Sequence, residues 1–342
     1  MHGNGNVKEI GKGYVMRPAV SEEAGAVTLL LNACSLEQVG EIEWEEHELA
    51  NDWQCPTWDL ARDARVVVAP DGRLVGYADV WDQPPHVRIY SMGSVHPEYR
   101  GRGLGSAMAR WLEERANGSL ADAPAEARVT LIQFQLANHE PTTAFLSSQG
   151  YQTVRYNHRM VMELDGPPPE PVLPAGVVIR PYLPSEVEPL LRATRDEFRD
   201  HWGYVETPWE QHLEQFAHWI RTDPDHDPDL WLVAVEGCSG EIVGTSLGRP
   251  RLPEDPDMGW INDLGVRRPW RRQGIALALL HRSFGELYRR GKKRVGLGVD
   301  ASSLTGATRL YERAGMHVAR VYAVYEKELQ PGVEISTQSV PA

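Results

Sequence analysis

The chain has 342 residues, 42% hydrophobic and 24% charged, with a formal net charge of −13. That length suits two domains of roughly 150 residues, each able to bury a core. The acidic balance argues against a nucleic-acid partner, and no run approaches the roughly 18 apolar residues of a membrane span, so neither nucleic acid nor membrane is expected.

The polar start, Met1 to Asn6, lacks the apolar core of a signal peptide, and residues 1–13 read as disordered. Cys34, Cys55 and Cys238 show no pairing or metal spacing, which fits a reducing cytoplasm. Val15-Met16-Arg17-Pro18 reads as a strand turning into a helix, and the acidic run from Glu41 to Glu48 around Trp44 as a solvated helix face. Val66 to Ala69, Asp71-Gly72 and Leu74-Val75-Gly76 form a hairpin pattern. Then comes Val95-His96-Pro97-Glu98-Tyr99-Arg100-Gly101-Arg102-Gly103-Leu104-Gly105: a strand end, Pro, an aromatic, and Arg-x-x-Gly-x-Gly opening an apolar helix. Asn138, Leu146 and Gly150 follow.

Asp165 to Pro174 holds five prolines, a stiff extended connector assigned to 165–176. Beyond it the pattern recurs. Val178-Ile179-Arg180-Pro181 repeats the first strand, Leu232 to Val235 with Glu241 to Gly244 repeats the hairpin, and Val266-Arg267-Arg268-Pro269-Trp270-Arg271-Arg272-Gln273-Gly274-Ile275-Ala276 repeats the loop. A helix is expected from Gly274 to about Arg290, a strand at Val295 to Val299, and a helix from Leu304 to Ala314 closed by Gly315, the counterpart of Gly150. The expected domains are 14–164 and 177–330, with 331–342 a flexible tail. The run Asp223 to Asp229 resembles a calcium loop, but Pro228 and Ala234 stand where glycine and glutamate belong; no metal site is expected.

Each loop aims backbone N–H groups and a helix N-terminus at one point, an anion site suited to a pyrophosphate. Gly-Lys-Ser/Thr of a P-loop is missing, and no clear Gly-x-Gly-x-x-Gly with a downstream acid appears. The two copies of this motif, with Tyr311-Glu312-Arg313-Ala314-Gly315-Met316 downstream of the second, resemble the GCN5-related N-acetyltransferase (GNAT) superfamily, present in tandem from about Val15 to Leu329. The resemblance implies an α/β (α+β) fold of two domains, each a central mixed sheet flanked by helices.

It further implies an acyltransferase that moves acetyl from acetyl-CoA to a primary amine of a small molecule by direct attack in a ternary complex. The alternative is a non-catalytic acyl-CoA sensor. The coenzyme is expected on Leu264, Gly265, Val266, Arg271, Arg272, Gln273, Gly274, Ile275, Ala276 and Ser303. In the first half it is expected on Val95, Arg100, Gly101, Arg102, Gly103, Leu104, Gly105 and Asn138. Tyr311 stands where the family places the proton donor to the thiolate; the first half has Leu146 there, so chemistry is expected only in the second. Many relatives carry a glutamate where this chain has Trp260, so the base is open; Asp263 is the expected one, with Asp300 the alternative. Glu197, His201, Trp202 and Tyr204, with Trp209 beyond, are expected in the acceptor pocket. Within the superfamily the layout is similar to the tandem mycothiol synthases, which acetylate a cysteinyl amine; aminoglycoside or polyamine acceptors suit the acidity equally. A monomer is preferred over a homodimer.

Overall fold

The computed structural model describes residues 7–340 and divides into two compact units. Unit 1 comprises Met1–Val154, Thr207–Asp223 and Ala323–Ile335, and unit 2 comprises Arg155–Glu206, Pro224–Tyr322 and Ser336–Ala342. In unit 1 the chain forms β1 (Lys8–Glu9), β2 (Val15–Pro18), α1 (Ala24–Val39), α2 (Glu46–Trp53), α3 (Leu60–Asp63), β3 (Ala64–Val68), β4 (Leu74–Trp81), β5 (Arg88–Val95), α4 (Leu104–Asn117), β6 (Val129–Leu136), α5 (Glu140–Ser148) and the start of β7 (Gln152–Glu163). The second pass gives β8 (Val177–Pro181), α6 (Val187–Phe198), α7 (Trp209–Thr222), β9 (Trp231–Glu236), β10 (Ile242–Arg249), β11 (Met258–Val266), α8 (Ile275–Arg289), β12 (Arg294–Asp300), α9 (Ala307–Arg313) and β13 (His317–Gln330).

The units are not the contiguous blocks 14–164 and 177–330 that the repeat suggests. The last strand of each half is the cause: β7 has 12 residues and β13 has 14. At about 3.3 Å per residue these outrun the seven- or eight-residue strands they would accompany. Residues 155–163 of β7 therefore pair with β12 in unit 2, and residues 323–330 of β13 belong beside β6 in unit 1. Helix α7 also belongs to unit 1, where Gln215 donates to Thr57 and Asn51 to the Thr222 carbonyl. Trp209 opens that helix and leaves the acceptor stretch of unit 2.

Both units repeat one design. In unit 2, β8 to β11 form an antiparallel run, and β11 then pairs in parallel with β12. Successive residues of β10 face opposite sides. A side chain at Gly244 would meet Leu279 and Ile275 of α8, whereas Thr245 bonds Glu197 of α6, so α6 and α8 cover opposite faces. The core under α8 is Ile261, Leu280, Phe284, Leu287, Val295 and Leu297. In unit 1, β2 to β5 are antiparallel and β5 pairs in parallel with β6; Val27, Leu30 and Leu31 of α1 pack on Val66 and Tyr77.

Both ends are more ordered than expected. Residues 1–6 lie outside the described residues, but Lys8 and Glu9 pair with Met16 and Val15. In the tail, Val333 bridges Ala127 and Thr337 exchanges backbone bonds with residues 203 and 204; residues 341–342 lie outside the described residues. Apolar periodicity does not register such backbone pairing. Helix α9 starts at Ala307, not Leu304, because Gly306 turns left-handed (φ 74°). Among the described residues no helix is long and apolar enough to cross a membrane.

Candidate active site

The site of unit 2 is built on a parting of strands. The β11–β12 ladder runs from Met258↔Arg294 to Ile261↔Leu297 and stops, although β11 stays paired with β10 to Val266 and β12 with β7 to Asp300. Asn262–Val266 and 298–300 thus border a cleft with backbone groups free to pair with an extended ligand arm. At the fork β11 carries a bulge: Leu247 faces Asp263 and Gly248 faces Ile261, leaving Asn262 as the extra residue.

Beyond Val266 the chain makes a short 3-10 turn (Arg268–Trp270), then places Arg272 (φ 62°) and Gly274 (φ 88°) in the left-handed region before α8. Alternating handedness turns successive N–H groups to one side, and the first-turn amides of Ile275 and Ala276 add to them. Unit 1 builds the same loop after Val95, with Gly101 (φ 72°) and Gly103 (φ 84°) opening α4 at Leu104 and Gly105.

The arginines of the motif do different work from that expected. Arg271 Nε donates to the Val266 carbonyl (2.9 Å), and its other nitrogens reach Asp200 and the Glu197 carbonyl. Arg100 repeats this, donating to Val95 (3.3 Å) and to Glu37 (2.9 Å). Each guanidinium therefore pins its loop to the strand end and the preceding helix. Arg272 is exposed at the crest of the second loop. Arg102 folds back onto Tyr14 and the Tyr99 ring, and Gln273 donates to Pro269. Asp200 is fully buried and also accepts from Arg268 (2.8 Å); that ion pair holds its carboxyl down at about 2.

Three ionisable groups meet at the cleft. Tyr311 is buried (6% exposed), and burial, then the charge of Asp263, push its hydroxyl to about 12. Among the described residues nothing donates a hydrogen bond to Asp263, and burial raises it to about 6. Glu197, expected at an open pocket, is only 2% exposed and lies against the Thr245–Gly265 pair. Thr245 donates to its Oε2 (2.6 Å), its Oε1 has no hydrogen-bond partner among the described residues, and burial raises it to about 8. Tyr311 stays a proton donor throughout the neutral range, and Asp263 is a carboxylate there. Asp300 is spent structurally: Arg155 grips both its oxygens and Ser302 N–H caps it. Ser303 accepts from Ala307 N–H at the start of α9, and Asn138 is exposed beyond β6.

Glu197 also explains Gly265. A Cβ there would lie 2.4 Å from Glu197 Oε2 and 2.6 Å from its Cβ. Gly265→Ala is expected to cost about 1–3 kcal/mol in denaturant unfolding, with part regained in Gly265→Ala/Glu197→Ala; an unchanged midpoint would show the contact to be slack.

Unit 1 carries none of these groups at the equivalent positions. Arg17–Glu23 and Arg180–Glu186 are the same pair six residues apart, and the Arg100 and Arg271 clasps fix a second anchor. Counting from them, Cys34 stands for Glu197 and Met92 for Asp263; counting from Gly150 and Gly315, Leu146 stands for Tyr311. The β4–β5 ladder runs from Gly76↔Val95 to Trp81↔Tyr90 without a bulge.

Among known proteins, the acetyltransferase (GNAT) family matches at residues 30–131 and again at 191–316. A mycothiol acetyltransferase of Salinispora tropica is 30% identical over 282 residues, 81% of this chain and 84% of that protein. One from Salinispora arenicola is 28% identical, over 84% of this chain and 88% of that protein. A crystal structure of a GCN5-related N-acetyltransferase from Sphaerobacter thermophilus superposes with a TM-score of 0.77 at 39% identity, covering 96% of this chain and all of that one. A tandem GNAT protein from the clavulanic acid biosynthesis pathway shares the fold at 16% identity (TM-score 0.68, covering 94% of this chain and all of that one). A twice-built forked sheet with a left-handed loop after its central strand agrees with these matches: the chain is an acyltransferase belonging to the acetyltransferase (GNAT) family.

Proposed function

We propose that unit 2 transfers an acetyl group from acetyl-coenzyme A to a primary amine of a small molecule by direct attack in a ternary complex. The observation that carries this reading is the placing at one fork of a buried hydroxyl that keeps its proton (Tyr311) within electrostatic reach of a carboxylate (Asp263) that accepts no hydrogen bond among the described residues. The residues fit the coenzyme: Leu264, Gly265 and Val266 border the cleft, and the backbone from Arg272 to Ala276 presents amides to a pyrophosphate. Asp263 takes the proton of the incoming ammonium, directly or through a water, so that a neutral amine attacks the thioester carbonyl. Tyr311 gives its proton to the departing thiolate. Unit 1 keeps the loop amides of Gly101 to Gly105 but has Met92 and Leu146 at the positions of Asp263 and Tyr311, and is read as a coenzyme-binding site without chemistry.

The relatives named mycothiol acetyltransferases make a cysteinyl amine the first acceptor class to try, ahead of aminoglycosides and polyamines. The test is coenzyme A release over a panel of such amines. Amine-dependent release from one class supports the reading; acetyl-coenzyme A binding with no release for any amine leaves the sensor alternative. Gly103→Glu, which blocks only the unit 1 loop, is expected to keep kcat within about twofold, because uncoupled sites act independently. A large loss would move chemistry into unit 1.

A further inference from the structure

The segment Arg199–Tyr204 follows α6 in unit 2 and is fastened at both ends. At one end Asp200 is buried under Arg268 and Arg271 of the coenzyme loop. At the other, the C-terminal residues 336–338 lie along it. Gly203 N–H donates to the Thr337 carbonyl (2.7 Å), Thr337 N–H to the Tyr204 carbonyl (2.9 Å), and Thr337 Oγ1 to the Arg199 carbonyl (3.0 Å). Trp202 Nε1 donates to Gln338 Oε1 (2.8 Å), and Gln338 Nε2 donates to Ser336 Oγ (2.9 Å), Ser336 being 6% exposed. The Trp202 ring is gripped from its other side by the Arg155 guanidinium, 4.9 Å from the ring centroid. Arg155 in turn holds Asp300 and the Ser302 carbonyl where β12 ends.

We propose that Thr337 and Gln338 are specificity-determining residues of the acceptor site: they hold the Arg199–Tyr204 loop and its Trp202 as the wall of the amine pocket. The proposal rests on the amine-acetylation reading above. The segment between Arg199 and Pro208 has no regular structure; within its own backbone it makes two turn bonds, His201 N–H to the Phe198 carbonyl and Tyr204 N–H to the His201 carbonyl, and Asp200 anchors only its beginning. A pair of reciprocal backbone bonds and an indole donor supply further order, and a gripped indole presents a flat apolar wall of defined position. Asp300, Arg155, Trp202 and Gln338 form a chain from the β12 side of the fork, while Asp200 ties the same loop to the coenzyme side. The loop thus spans from one substrate's site to the other's, and the tail decides only its acceptor end.

Two variants of the full-length protein test this, alongside a chain ending at Ile335. Gln338→Leu removes the indole's acceptor and leaves the backbone bonds; Thr337→Pro removes the N–H donated to Tyr204. Each is expected to raise KM for the amine about tenfold with KM for acetyl-coenzyme A within about twofold, since misplaced positioning groups act on the substrate they position. Gln338→Leu is also expected to redden and weaken Trp202 emission, read against Trp202→Phe. The relative rates across the amine panel are expected to change order. Amine and coenzyme KM moving together, or an unchanged amine KM with altered Trp202 emission, overturns the proposal. The truncated chain supplies the extreme case: full amine kinetics without residues 336–342 also overturns it. If instead the intact chain acetylates no amine, the functional reading has failed, which the intact chain alone reveals.

Discussion

Tyr311→Phe is expected to lower kcat by about 10²–10⁴-fold while leaving KM for acetyl-coenzyme A within about twofold. The phenyl ring fills the same space in the core of unit 2, against Ile261, Leu280 and Leu297, so the fold has no reason to respond. What is lost is one hydroxyl proton at the fork, needed only as the thiolate departs, so the loss belongs in kcat and not in binding. The raised value of about 12 matters here: the hydroxyl keeps its proton at every pH at which the protein is assayed. Steady-state kinetics with coenzyme A release as readout decides it. A variant retaining more than a tenth of wild-type kcat, with chemistry rate-limiting, moves the donor role elsewhere. Leu146→Tyr in unit 1 is expected to add no activity, because Met92 still stands at the position of Asp263.

Asp263→Asn is expected to lower kcat/KM for the amine by about 10²-fold near pH 7 and to abolish the acidic limb of its pH profile. In the intact protein the carboxylate forms as pH rises through about 6, so activity should climb there and then level. The stability effect has the opposite sign. The folded value lies above the ordinary carboxylate value, so the folded state holds a proton that the unfolded state has released. Stability contributed by the neutral acid is therefore lost as pH rises from about 4 through 6. Glu197, raised to about 8, extends the same loss to higher pH. Asp263→Asn and Glu197→Gln should accordingly raise Tm over the intact protein more at pH 8 than at pH 5. A fall in Tm together with a fall in activity would assign Asp263 to structure and not to proton transfer.

The loops themselves were readable from residue type. Gly103 and Gly274 occupy left-handed positions that disfavour any side chain, and Pro97 and Pro269 mark the 3-10 turns before them. The hairpins and the β11–loop–α8 order follow from apolar periodicity and Gly punctuation. The pairing of Arg271 is not legible, because sequence shows a charge and not its partner: Asp200, 71 residues upstream, accepts from it. The burial of Glu197 is not legible for the same reason, since only the fold shows that the facing Gly265 and Thr245 make room and a bond for an acidic residue late in an amphipathic helix.

The duplication, the phosphate loops and the contrast of Tyr311 with Leu146 are properties of local sequence: they depend on φ preferences, side-chain chemistry and period, all written within a few residues. The bulge at Asn262, the fork after Ile261, the burial of Glu197 and Asp200, and the continuation of the last strands past their own halves depend on pairing between segments far apart in the chain. Strand register, desolvation and ion pairing are decided by which surfaces meet, and only the folded chain brings them together.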